Sequence, residues 1–147
     1  QPDIILEARR INNSMASHIG HRVVRLMIQK RADIAESKIL VLGLSYKENC
    51  PDLRNTRVPD LIATMESYRA EVDVYDPWVS PEDAEQSFGI HPISQPDIGA
   101  YDAIVIAVAH HQFQQLGARK IKSFGKSDAV IFDVKNMLDA TDVTARL

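Results

Sequence analysis

The chain has 147 residues, a formal net charge of −3 and one cysteine, Cys50. That length holds one domain with a real core plus an appendage. The charge gives no general pull toward nucleic acid or a membrane surface, and the lone cysteine excludes an internal disulfide and fits a reducing cytoplasm.

No apolar run nears the roughly 20 residues that cross a bilayer. The start, Gln1-Pro2-Asp3, has neither the basic nor the apolar region of a secretion signal. The missing Met there leads to the expectation of a piece from a longer chain.

Pro2 and Asp3 suit a helix start. Apolar residues then recur at Ile4, Ala8, Ile11, Met15, Ile19, Val23 and Leu26, one face of a helix predicted to run to Lys30. A second row holds Ile5, Val24 and Ile28. Such a helix is roughly 40 Å long at 1.5 Å per residue. That exceeds the cover a small sheet needs, so linking domains or pairing with a second copy is expected rather than packing on its own domain alone.

Ile39-Leu40-Val41-Leu42 is a continuous apolar run stopped by Gly43, as in a parallel strand covered on both faces. A dense polar loop, Tyr46 to Asn55, follows. Val58, Leu61, Ile62 and Met65 share the face of a helix predicted over 58–68, with Pro59 in its first turn. Val72 to Tyr75 reads as a second strand, ended by Asp76-Pro77. Ser80 as N-cap, Pro81 at the first position, Asp83 three on from the cap and Gly89 as C-cap bracket the next helix. A loop with Pro92, Pro96 and Gly99 leads to a third strand, Ala103 to Ala109, and a polar turn, His110-His111-Gln112. A short helix and linker are expected over 113–124. A fourth strand, Ala129 to Val134, ends at Lys135-Asn136, and 139–147 is predicted as a frayed last turn.

Strands alternating with helices predict a Rossmann-like α/β domain: a mainly parallel sheet with helices on both faces, preceded by the long helix. Ligands bind beyond the carboxyl ends of such strands. Tyr46–Arg54, His110–Gln112 and Lys135–Asn136 all fall on that edge, where a Lys and an Arg can face an anion. An ordinary solvated strand-to-helix loop has the same composition. Gly43 stands alone, so the strand-one turn is no G-x-G-x-x-G dinucleotide fingerprint. Adjacent histidines without nearby Cys or carboxylate at ligand spacing predict no metal site. Cys50, between Asn49 and Pro51, has no base near it in sequence.

Gly43 to Thr56 reads GLSYKENCPDLRNT, and VYDP follows at 74–77. This combination resembles the carboxy-terminal, UDP-binding domain of the UDP-glucose/GDP-mannose dehydrogenase family. FDVKNML at 132–138 resembles the family's D-x-[KR] segment after the last core strand. Ala8-Arg9-Arg10-Ile11-Asn12 resembles the end of its central helical dimerisation domain. KENCPDLRNT together with VDVYDPWVS is most similar to the branch acting on UDP-N-acetylhexosamines, as in Vi-type polysaccharide synthesis.

The resemblance implies two segments: 1–34 from the dimerisation domain and 35–147 as the UDP-binding domain. It implies a three-domain, cytoplasmic enzyme for cell-surface polysaccharide, such as capsule. That enzyme oxidises the C6 alcohol of a UDP-sugar to a carboxylate with two NAD and a cysteine thiohemiacetal. NAD would be held mainly by an amino-terminal domain absent here. Cys50 does not match the nucleophile's motif, so no catalytic residue is expected and the chain alone should be inactive. Tyr46 and Lys47 resemble the pair that holds UDP, and Lys135 the basic residue that meets its diphosphate. Arg54 resembles the Arg that reaches toward NAD, with Asp52 orienting it. Arg10 resembles the helix Arg that reaches a neighbouring subunit's substrate. The implied partners are a UDP-sugar and a second copy paired through the first helix, with no nucleic acid, membrane or metal. The alternative is a stand-alone nucleotide-binding or dimerisation module without catalysis.

Overall fold

The run Ile39–Leu42 lies inside the sheet because it can bury side chains both ways. In the computed structural model, which describes residues 2–147 and side chains from Ser14 onward, it forms strand β1, Lys38–Leu42. Ile39 and Val41 join one apolar layer, Leu40 and Leu42 the other, and all four are fully buried. Helices α1 (Pro2–Gln29) and α2 (Val58–Glu66) cover the first layer. Helix α4 (His111–Phe124) covers the second through Phe113, Ile121 and Phe124.

The remaining elements are β2 (Glu71–Tyr75), α3 (Pro81–Phe88), β3 (Tyr101–Ile106), β4 (Gly125–Asp133) and β5 (Ala145–Arg146). Among the described residues the five strands form one parallel sheet, ordered β2-β1-β3-β4-β5. The expected Rossmann-like α/β class is therefore what the chain adopts. The expected caps of α3 are in place: the Ser80 hydroxyl accepts from the Asp83 N–H, and Gly89 is left-handed at φ 65°.

Several boundaries differ from expectation, each for a physical reason. The last residues are not a frayed turn. Ala145 and Arg146 pair with Phe132 and Asp133, and the Ile131 N–H donates to the Thr144 hydroxyl at 2.9 Å, so the outer edge of β4 is satisfied. β3 stops at Ile106 because the Ala107 and Val108 N–H groups turn inward onto the Leu42 carbonyl, at 2.9 and 3.3 Å. The helix-and-linker region is α4, broken at Gly117, which has φ 76°. Along α1 the buried stripe is Ala16, Ile19, Val23, Val24 and Met27, with Leu26 only half-buried and Met15 exposed. The sequence pattern placed Met15 and Leu26 on that face and Val24 beside it. The helix is rotated because Gly20 must meet α2 closely: a Cβ there would lie 2.8 Å from the Thr64 methyl.

Gly43 is required where β1 ends. Its φ is 102°, and an added Cβ would sit 2.5 Å from Val108 Cβ and 2.9 Å from the Val108 nitrogen. Gly43→Ala combines backbone strain with a clash against a turn that cannot move without breaking its bonds to β1. Equilibrium urea unfolding should show a loss of roughly 2–4 kcal/mol.

Candidate functional site

From β1 the chain crosses to β2 on one side, then returns past β1 to build β3, β4 and β5 on the other. The direction reverses between β1 and β3. In open parallel sheets the crevice outside the carboxyl ends of the strands at that point receives ligands. Three segments surround it: the loop after β1, the turn after β3 and the turn after β4.

Asp76, at the end of β2, holds the first of these. Its Oδ2 accepts from the Leu44 and Ser45 N–H groups at 2.7 and 3.0 Å, and its Oδ1 from the Trp78 N–H at 2.8 Å. His110 Nε2 lies 3.0 Å from the same Oδ2 and 3.3 Å from the Ser45 hydroxyl. His110 Nδ1 accepts from the Asn49 N–H at 2.9 Å, so the proton sits on Nε2, toward the carboxylate. Burial pushes the Asp76 carboxyl up, but the bonds from His110 and from the Leu44, Ser45 and Trp78 amides outweigh it. They hold the group below its ordinary value of 3.8. Asn49 closes the link: its Oδ1 accepts from the His111 N–H at 2.8 Å.

His110 was expected on the ligand edge as part of a polar turn. It is fully buried and serves as a strut between the β1 and β3 ends. Asn49 and Asn55 take left-handed backbone, φ 57° and 67°, which asparagine tolerates better than most residues.

Asp133 does for the β4 turn what Asp76 does for the β1 loop. It is fully buried and accepts from the Lys135 N–H at 3.1 Å and the Leu138 N–H at 2.8 Å. Asn136, at φ 56°, completes the turn, and its Oδ1 accepts from Arg146 Nε at 2.8 Å. Lys135 thus stands exposed on a fixed backbone.

Two hollows open beside these loops. One, of about 320 Å³, is lined by Ser45, Tyr46, Thr56, Arg57 and Lys135, with Met15, Ile19, Leu61 and Val108 among its apolar walls. Tyr46 and Lys135, 89 positions apart by their numbers, meet here. Lys47 does not line this hollow; it follows Tyr46 on the same loop, is exposed, and its carbonyl accepts from the Ser45 hydroxyl at 3.0 Å. The second hollow, of about 780 Å³, is lined by Asp52, Arg54, Asn55, Arg57 and Asp83 among others. There Arg54 makes a two-pronged contact with Asp52: Nε to Oδ1 at 3.1 Å and Nη2 to Oδ2 at 3.2 Å. That bond, followed by one from the Arg54 amide, holds the Asp52 carboxyl below its ordinary value, and the same pairing raises Arg54. The Arg54 side chain is 87% exposed. Arg10 lies outside the residues whose side chains are described. The sequence pattern put His110 on the ligand edge but not as a strut, gave Asp133 no role beyond the D-x-[KR] match, and did not single out Arg57. The one available signal was an acidic residue closing an apolar strand, at Asp76 and again at Asp133.

The usual dinucleotide position of such a sheet does not fit a pyrophosphate and ribose here. The space over Gly43 belongs to Val108, and Asp76, which would meet a ribose, has its lone pairs taken by the protein. Among the described residues no cluster of three His, Cys, Asp or Glu could hold a metal ion. No described helix is long and apolar enough to cross a membrane.

A parallel sheet of order 2-1-3-4-5 with loops braced by buried carboxylates and a cation beyond its switch point defines a Rossmann-like ligand-binding module. The chain belongs to the UDP-glucose/GDP-mannose dehydrogenase family: the sequence model of that family's UDP-binding domain matches residues 40–140. It is 44% identical over 146 residues to the UDP-N-acetyl-D-glucosamine 6-dehydrogenase of Pseudomonas aeruginosa, covering 99% of this chain and 35% of that protein. It is 41% identical to the enzyme of the same name from Salmonella typhi, covering 99% of this chain and 34% of that one. The chain therefore spans about a third of the length of these curated relatives. The solved UDP-D-ManNAc dehydrogenase of Pyrococcus horikoshii superposes with a TM-score of 0.72 at 27% identity, over 95% of this chain and 32% of that one.

Proposed function

We propose that this chain is the nucleotide-binding part of an NAD-dependent UDP-sugar 6-dehydrogenase that makes a uronate for cell-surface polysaccharide, such as capsule. The substrate is a UDP-N-acetylhexosamine, in keeping with the names of the relatives above. The carrying observation is the hollow at the switch point, where Tyr46 and Lys135 converge over apolar walls. Apolar pockets with a few convergent polar groups are where small ligands bind, typically in roughly 300–1,000 Å³. The Tyr46 ring offers a face to the uridine part, and Lys135 is a point charge for the diphosphate. Lys47 adds positive charge from the same loop as Tyr46.

Oxidation of the C6 alcohol to a carboxylate releases four electrons, which two NAD take as two hydrides. The cofactor and the nucleophile belong to parts outside this chain. Arg54, exposed and oriented by Asp52, is the group that reaches toward the cofactor. The segment 1–34 ends a helical dimerisation domain, and 35–147 is the nucleotide-binding domain. The setting is the cytoplasm, consistent with Cys50 as a free thiol.

Calorimetric titration of the chain tests this reading. UDP should bind and NAD alone should not. Lys135→Ala should weaken UDP by about 10- to 100-fold, the worth of a charge-assisted contact, and Lys47→Ala should weaken it as well. A stable dimer that binds neither ligand would replace this reading with a dimerisation module.

A further inference from the structure

Arg57 lines both hollows, and its Nε is buried without a hydrogen-bond partner among the described residues. A buried guanidinium N–H left unpaired is costly and rare, so it calls for an explanation. The backbone beneath it is fixed. Arg57 is the residue before α2, and its carbonyl accepts from the Asp60 and Leu61 N–H groups at 3.1 and 3.3 Å. Thr56 ties that start to the β1 loop, donating its hydroxyl to the Leu44 carbonyl at 2.7 Å.

The two hollows differ in charge. Asp52 and Asp83 line the larger one, so an anion there meets carboxylates. Among the described residues no Asp or Glu side chain lines the smaller one, where Arg57 and Lys135 are the charged side chains. Its apolar walls, including Ile19, Val58, Leu61 and Val108, lower the local dielectric and strengthen any ion contact made against them.

We propose that Arg57 is a second cationic contact of the smaller hollow, setting its guanidinium against the phosphate oxygens of a nucleoside diphosphate alongside Lys135. This rests on the nucleotide reading above and deepens it. A diphosphate carries more charge than the single Lys135 ammonium neutralises. A guanidinium adds what an ammonium lacks: a planar fork that grips two phosphate oxygens at once. A turn of the side chain that brings Nε to the hollow would also let such an oxygen take the orphaned Nε–H. The side chain comes from the start of α2 and Lys135 from the end of β4, so the two cations are held by separate elements and do not depend on one loop.

The test is calorimetric titration of wild type, Arg57→Gln and Arg57→Lys with UDP, UMP and uridine, with thermal melts of each variant. Arg57→Gln should lose about tenfold or more for UDP, less for UMP and nothing for uridine. Arg57→Lys keeps the charge without the fork and should fall between wild type and Arg57→Gln. If wild type binds UDP and Arg57→Gln matches it within about twofold, the assignment of Arg57 is overturned while the nucleotide reading stands. Equal weakening of UDP and uridine would show a packing role and overturn it too. Failure of wild type to bind UDP removes the nucleotide reading first and this inference with it. Should Arg57→Gln not fold, Arg57→Lys decides: UDP affinity equal to wild type overturns the proposal.

Discussion

Asp76→Ala should cost the domain roughly 3–5 kcal/mol in equilibrium denaturation, a third or more of the stability usual for a domain of this size. The Asp76 side chain is fully buried and its carboxylate satisfies three backbone N–H groups and the His110 ring. Alanine leaves those donors buried without an acceptor, and each orphan costs about 1–3 kcal/mol before water relaxes into the gap. The loss is not confined to stability. Leu44 and Ser45 open the loop that carries Tyr46 and Lys47, and His110 fixes the same loop again at Asn49. UDP affinity of whatever fraction remains folded should fall with it.

Asp76→Asn does not rescue the site. Oδ2 faces three donors and Oδ1 faces a fourth. Whichever way the amide is turned, its NH2 points at an N–H. The pH dependence follows from the same contacts. Because the folded carboxyl titrates below its ordinary 3.8, its stabilisation is fully present above that value. It disappears as pH falls through the lower folded value. Wild type should therefore lose stability in acid below about pH 4, and Asp76→Asn should lose less over that range because it has no carboxylate left to protonate. An acid profile of equal steepness in both proteins would mean that Asp76 is not the responsible group.

What could be read from sequence was whatever one residue's neighbours determine. Ile39–Leu42 and Ala103–Ile106 are apolar on both faces, and that pattern alone distinguishes a buried parallel strand from a half-exposed one. Ser80, Pro81 and Gly89 mark a helix because capping acts within one turn. Tyr46, Lys135, Arg54 and Asp52 came from the family pattern, and local chemistry alone could not separate them from a solvated loop. His110 was misplaced because its ring partners Asp76, Asn49 and Ser45 lie 34, 61 and 65 positions away, and a histidine pair looks polar until those partners are known. β5 has two residues and therefore no periodicity. Nothing in the sequence separates Arg57 from any other charge before a helix. Only the buried Nε, unpartnered among the described residues, and the shared wall of two hollows distinguish it.

Asp133→Ala and Lys135→Ala should separate the scaffold of the β4 turn from its function. Lys135 is exposed and the described residues give its ammonium no ion pair, so removing that side chain should change stability by less than about 0.5 kcal/mol while UDP affinity drops. Asp133 is fully buried and binds the Lys135 and Leu138 N–H groups, so alanine there should cost roughly 2–4 kcal/mol. It should also release the turn on which Lys135 stands and weaken UDP, although Asp133 is not among the residues lining the hollow. The double variant discriminates. If Asp133 acts on the ligand only by placing Lys135, then adding Asp133→Ala to Lys135→Ala should cost further stability but almost no further UDP affinity. Independent, additive losses of affinity in the double variant would mean that the turn contributes more to the ligand than its lysine, through its backbone or through the β5 segment paired beside it.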